Sequence, residues 1–231
     1  MILDTILSAF YPRQCAFCGT LLEDISEEIC PQCFEEARLF PVERCGQWKE
    51  NEASGEGLIN LDGMAAVFYY AGSVQQAIKR MKFKNCPEVA KIFARFQYER
   101  LLEAYQEPFD FVVSIPMYPK KERIRGYNQS ELLASYLADW LKIPLADVAL
   151  QKKKNHLPLH ELSAKDRKKE IANSFSLGKD GEALKGKNIL LVDDVYTTGA
   201  TMEECGKVLK DAAVKKISGI VIATTNFNKV S

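Results

Sequence analysis

The segment Ile189 to Thr201, ILLVDDVYTTGAT, restricts what this chain can fold into more than any other stretch. Four aliphatic residues, Ile189 to Val192, run directly into two adjacent carboxylates, Asp193 and Asp194. An apolar run without alternation belongs to a strand buried on both faces, as in a parallel sheet covered by helices. A hydroxyl-rich turn follows, Thr197-Thr198-Gly199-Ala200-Thr201, and then a helical pattern from Met202 to Leu209. Open α/β sheets bind ligands beyond the carboxyl ends of their strands, which is where the acids and the turn fall. Hydroxyls, a glycine and successive N–H groups at a helix start suit a phosphate monoester, since the amides and the helix dipole both favour an anion. The carboxylates are acceptors for the vicinal hydroxyls of a sugar, so the combination points to a ribose 5-phosphate compound. An ordinary buried strand and capped helix would explain the run and the turn. It would leave two adjacent buried carboxylates uncompensated, at a cost that a bound ligand removes.

The 231 residues suffice for one α/β domain and a small appendage. Thirty-one basic and 31 acidic residues cancel, so no global field drives binding to nucleic acid or membrane, and any such contact is local. The N-terminal stretch MILDTILSAFYPRQC carries Asp4 early and lacks a basic leader, so neither a signal peptide nor a membrane span is expected. A cytoplasmic location with reduced thiols follows as the expectation.

Five of the seven cysteines precede residue 46. Cys15-x2-Cys18 and Cys30-x2-Cys33 form two knuckle-like pairs separated by 11 residues, and four thiolates complete a tetrahedral structural zinc site. Disulfides are disfavoured by the compartment, and a redox dithiol needs only one such pair beside a βαβ unit. So small a segment buries little apolar surface, and a metal supplies its folding energy. Cys45 reads as a small buried residue rather than a spare ligand, and Cys86 and Cys205 as structural. The expected organisation is a zinc module over 1–47, a polar linker over 48–63 and an α/β domain over 64–231. Trp48 in the linker is placed to pack the two together.

Within the domain, Met64 to Tyr70, Phe109 to Ile115 and Val214 to Thr224 read as further buried strands. Ser73 to Lys84, Glu88 to Leu102, Ser130 to Trp140 and Glu203 to Leu209 carry helical spacing, and the sheet is expected to be mostly parallel with five strands. Helix Ser73 to Lys84 ends in a basic run from Lys79, which reads either as a solvated face or as a phosphate- or nucleic-acid-facing patch. Pro116 to Gln129, broken by prolines and a glycine, reads as a loop crowded with Lys120, Lys121, Arg123 and Arg125. Guanidinium groups there suit a diphosphate through forked bonds, against the alternative of a solvated loop. The charged stretch 151–174 reads as a lid that excludes water, and Pro158 between His156 and His160 argues against a metal pair.

Residues 189–201 resemble the phosphoribosyl-diphosphate signature of type I phosphoribosyltransferases. The series Cys-x2-Cys…Cys-x2-Cys, Lys82-Phe83-Lys84, Arg123-x-Arg125-Gly126-Tyr127-Asn128-Gln129 and the signature is similar, over nearly the full length, to the ComF (GntX-like) competence-associated family. The resemblance implies a type I phosphoribosyltransferase-like fold, a mostly parallel twisted sheet flanked by helices, with a small N-terminal four-cysteine zinc module. It implies that Asp193 and Asp194 hold the ribose hydroxyls and Thr197, Thr198, Gly199, Ala200 and Thr201 the 5′-phosphate of phosphoribosyl diphosphate with Mg2+. The Arg125-Gly126-Tyr127-Asn128 region would lie at the pyrophosphate end, with Arg123 a further candidate for binding the donor. The implied role is in DNA uptake with an unnamed acceptor. Alternatives are a non-catalytic accessory module in which the lysine runs 79–84, 152–154 and 165–169 contact single-stranded DNA or a helicase, and a ligand-sensing regulator.

Overall fold

The computed structural model describes residues 14–22, 24, 27–45, 58–84, 86–153 and 171–225. Its frame is a parallel sheet of β1 (Gly63–Tyr69), β2 (Phe111–Ser114), β5 (Asn188–Tyr196) and β6 (Lys216–Thr224) in the order β1-β6-β5-β2. The expected five strands are therefore four among the described residues. The remaining strands, β3 (Leu150–Lys152) and β4 (Phe175–Leu177), pair antiparallel as a separate ribbon. At three residues each they are too short to leave a period in the sequence.

Alternate side chains serve opposite faces. Ala65, Val67, Val112, Leu190, Val192, Ile220 and Ile222 pack on one side with α2 (Gly72–Phe83), α3 (Glu88–Ala104) and α5 (Gln129–Leu141). Met64, Ala66, Val113, Leu191 and Val221 pack on the other with α6 (Ala200–Asp211) and the ribbon. Being covered twice explains why these strands read as continuous apolar runs.

The cysteine segment shares the first of these cores rather than forming its own. Phe17, fully buried, lies 5.2 Å from the ring of Phe93 and edge-on to Phe68. Complete burial of such a ring is worth about 2–3 kcal/mol. The short helix α1 (Pro31–Glu36) places Cys33 in this core, and residues 38–40 then run antiparallel along the outer edge of β1. The Tyr69 N–H donates to the Arg38 carbonyl at 2.9 Å and the Phe40 N–H to the Val67 carbonyl at 2.8 Å, so that edge is covered.

Pro116 to Gln129 is not the open loop the prolines imply, because Pro119–Arg125 forms helix α4. Pro119 occupies its first turn, where an N–H has no partner to lose, and Gly126 closes it at φ 89°. Among the described residues no helix is long and apolar enough to cross a membrane. Trp48, His156, His160 and lysines 154 and 165–169 lie outside the described residues, as does most of the expected lid.

Candidate functional site

The site arises where the sheet loses a neighbour. β2 stops at Ser114, opposite Val192, while β5 continues to Tyr196 on the support of β6 alone. Asp193 and Asp194 thus stand within the strand, one step past the point where β2 leaves, and a crevice opens beside them. The resulting cleft has a volume of about 670 Å³, and its wall includes Asp193, Asp194, Thr197 to Thr201, Lys82, Arg125 and Lys152. A cleft of this size suits a ligand with several polar groups.

Each acid is held by another element. Ser130, at the start of α5, donates its hydroxyl to Asp193 Oδ1 at 2.7 Å, and the Asp194 N–H donates to the same oxygen at 2.9 Å. Asn128 caps α5 and ties it to the end of β2 by donating to the Ile115 carbonyl at 3.0 Å, which fixes Ser130 in place. Lys82, in the last turn of α2, donates to Asp194 Oδ1 at 2.8 Å. Among the described residues Asp194 Oδ2 is buried without a hydrogen-bond partner. Burial, and then the charge of Asp194, push the Asp193 carboxyl up to about 6.

The turn after β5 borders the cleft. Gly199 adopts φ 76° immediately before α6, and a Cβ there would run into the buried Tyr196 ring. Glycine is required on both counts. All five residues from Thr197 to Thr201 line the cleft.

The basic residues divide. Arg125 lines the cleft, stacked over the Phe83 ring at 5.3 Å and bonded to Gln129 Oε1. Arg123 is exposed and Gly126 caps a helix, and neither is among the residues that line the cleft. Two residues apart on a helix, Arg123 and Arg125 point in nearly opposite directions, so a site takes only one. Lys152, expected on a lid, instead lines the cleft with its ammonium 5.0 Å over Phe175, and burial lowers its pKa. Lys79 and Lys84 are exposed. Lys82 and Ser130 carry the acids yet stand 112 and 63 residues from them, and only the basic end of α2 hinted at the first.

Beside α2, Cys15, Cys18, Cys30 and Cys33 bring their sulfurs within 4.8 Å of one another. Cys18 and Cys30 Sγ are 3.9 Å apart, close to the edge of about 3.8 Å for four thiolates around zinc at about 2.3 Å. The soft donor set and its spacing fit a tetrahedral ion. Cys45 is outside this group, its thiol directed at the Pro41 and Ala66 carbonyls.

A family model for the phosphoribosyl transferase domain matches residues 79–229. The chain belongs to that family. Among its relatives, competence protein F of Haemophilus influenzae is 28% identical over 90% of this chain and 95% of its own. Competence protein ComFC of Streptococcus pneumoniae is 30% identical over 88% and 84%, and DNA utilization protein YhgH of Escherichia coli K12 is 29% identical over 84% and 83%. They place the chain in the ComF branch of the phosphoribosyl transferase family. The match begins at Lys79, inside α2, so the cysteine segment and β1 lie outside it.

One consequence for this phosphoribosyl transferase domain concerns Lys82. Lys82→Met strands the buried Asp194 carboxylate and is expected to cost about 2 kcal/mol, less than a fully buried pair because the lysine is 21% exposed. Thermal melting checks this, and Asp194→Asn in the same background should recover most of the loss.

Proposed function

We propose that the cleft binds phosphoribosyl diphosphate and that the protein is a phosphoribosyltransferase acting in DNA uptake. The observation that carries this reading is the joint position of the two acids and the 197–201 turn where β5 outruns β2. In it, Asp193 and Asp194 accept from the ribose hydroxyls. The hydroxyls and amides of Thr197 to Thr201 take the 5′-phosphate. Arg125 and Lys152 face the diphosphate end; Arg123 and Gly126 are left out of this set.

The carboxylates also offer the hard oxygens that suit a Mg2+ ion arriving with the donor, and that ion, when bound, neutralises charge developing on the departing diphosphate. The chain's own contribution is to fix the sugar and the phosphates at separate points, so that C1 is presented to an acceptor without reorganisation. The four cysteines hold a structural Zn2+ in a module over 1–47, carried by the domain over 64–231. The place in DNA uptake is supported by the names of the competence and DNA utilization relatives.

The experiment is calorimetric titration of the full chain with phosphoribosyl diphosphate, with and without Mg2+. Saturable, Mg2+-dependent binding supports the reading. Absence of binding at millimolar donor removes it.

A further inference from the structure

We propose that α2 couples the cysteine cluster to the acid pair, with Ser73 and Arg80 as positioning residues for Lys82. The coupling of the two sites rests on the donor reading above only for its ligand; the strut itself does not.

Both ends of this helix touch the knuckles, and its last turn also reaches the acids. At its start the Ser73 hydroxyl, almost fully buried, donates to the Cys33 carbonyl at 2.7 Å. Near its end the Arg80 guanidinium lies on Gly19, the residue that follows Cys18, so closely that a Cβ at Gly19 would overlap it. Gly19 holds φ 83° and its N–H donates to the Cys15 carbonyl at 2.8 Å, so its position is set by the knuckle. Among the described residues Arg80 Nε is buried without a hydrogen-bond partner. The next residue, Met81, is buried and accepts from the Tyr127 hydroxyl through its carbonyl, and the one after is Lys82 on Asp194.

Between these ties Val74, Ala77, Ile78 and Met81 are fully buried in the core that also holds Phe17, Cys15 and Cys33. Twelve helical residues make a rigid rod about 18 Å long. A close-packed rod does not bend to absorb a shift at one end; it moves as a body. Knuckles gathered by a metal therefore set where the Lys82 ammonium stands, and a ligand that orders the acid pair holds the knuckles in return. Coupling of binding free energies is reciprocal.

The test follows zinc release from the full chain to a colorimetric chelator. Without any donor, Lys82→Met is expected to release zinc about fivefold faster, whereas Ile217→Ala, at least as large a loss of stability on the opposite face of the sheet, leaves the rate unchanged. Equal acceleration by both variants, or by neither, overturns the coupling, and this arm needs no donor. In the second arm, saturating phosphoribosyl diphosphate with Mg2+ slows release from the wild type about fivefold and from Arg80→Ala less than twofold, with one zinc per chain in each. Protection that persists in full in Arg80→Ala overturns the role of Arg80. The expected result in the first arm, with a wild type that binds no donor, keeps the strut and removes the donor reading.

Discussion

Asp193→Asn is expected to weaken phosphoribosyl diphosphate binding roughly 100-fold while making the protein more stable. The two effects share a cause. Burial and the neighbouring Asp194 raise the Asp193 carboxyl from its ordinary 3.8 to about 6, with Ser130 and Lys82 offsetting part of the rise. A carboxyl raised in the folded state favours folding while protonated, and that contribution is lost as the pH climbs through about 6. At neutral pH the wild type therefore carries an ionisation that opposes folding. Asparagine keeps an oxygen for the Ser130 hydroxyl and the Asp194 N–H, and it removes the charge. The variant should melt above the wild type by about 3 °C at pH 8, on the order of 1 kcal/mol, with the gap closing towards pH 4. Calorimetric titration and melts across that range check both halves. A variant that binds donor as the wild type does removes Asp193 from the site. Stability gained with function lost is the mark of a residue kept for its ligand.

The second large effect belongs to the cysteines. Cys18→Ser or Cys30→Ser is expected to lower the zinc content below one per chain and the melting temperature by more than about 10 °C, since a structural zinc contributes folding free energy directly. The loss should spread beyond the knuckles, because Phe17 and Cys33 sit in the core of the sheet domain. Cys45→Ser separates a ligand from a bystander. Its thiol faces two carbonyls, so zinc should stay bound and the melt move by only a few degrees. Elemental analysis with thermal melting decides it. A full zinc complement in Cys18→Ser would sink the metal assignment.

Much of this was legible in the chain. Ile189 to Val192 announced a doubly covered strand because every residue in it is apolar, and the structure buries all four completely. The pairing of Cys15, Cys18, Cys30 and Cys33 was legible because ligand geometry constrains spacing. Helix α4 was not, because a proline normally signals an end, whereas Pro119 marks a beginning. The ties of Lys82 to Asp194 and Ser130 to Asp193 were not legible either. Nothing local in a sequence specifies which distant side chain a carboxylate will meet, and that depends on where helices cross the sheet. The cysteine segment read as an appendage for a similar reason. Its own apolar content is small, and the partners of Phe17 lie at Phe68 and Phe93.

The strand order has a consequence for how the chain is made. β1 and β2 occupy the outer positions, and the central strands β6 and β5 that join them come last in the chain. On a ribosome adding roughly 5–20 residues per second, β1 waits on the order of ten seconds for β6 to emerge. Every one of its seven residues is destined for burial, so during synthesis this apolar strand stands without its sheet neighbour. Residues 38–40, made just before it, supply the one edge partner available early, so the segment beside the cysteines can shield the nascent strand before any site exists.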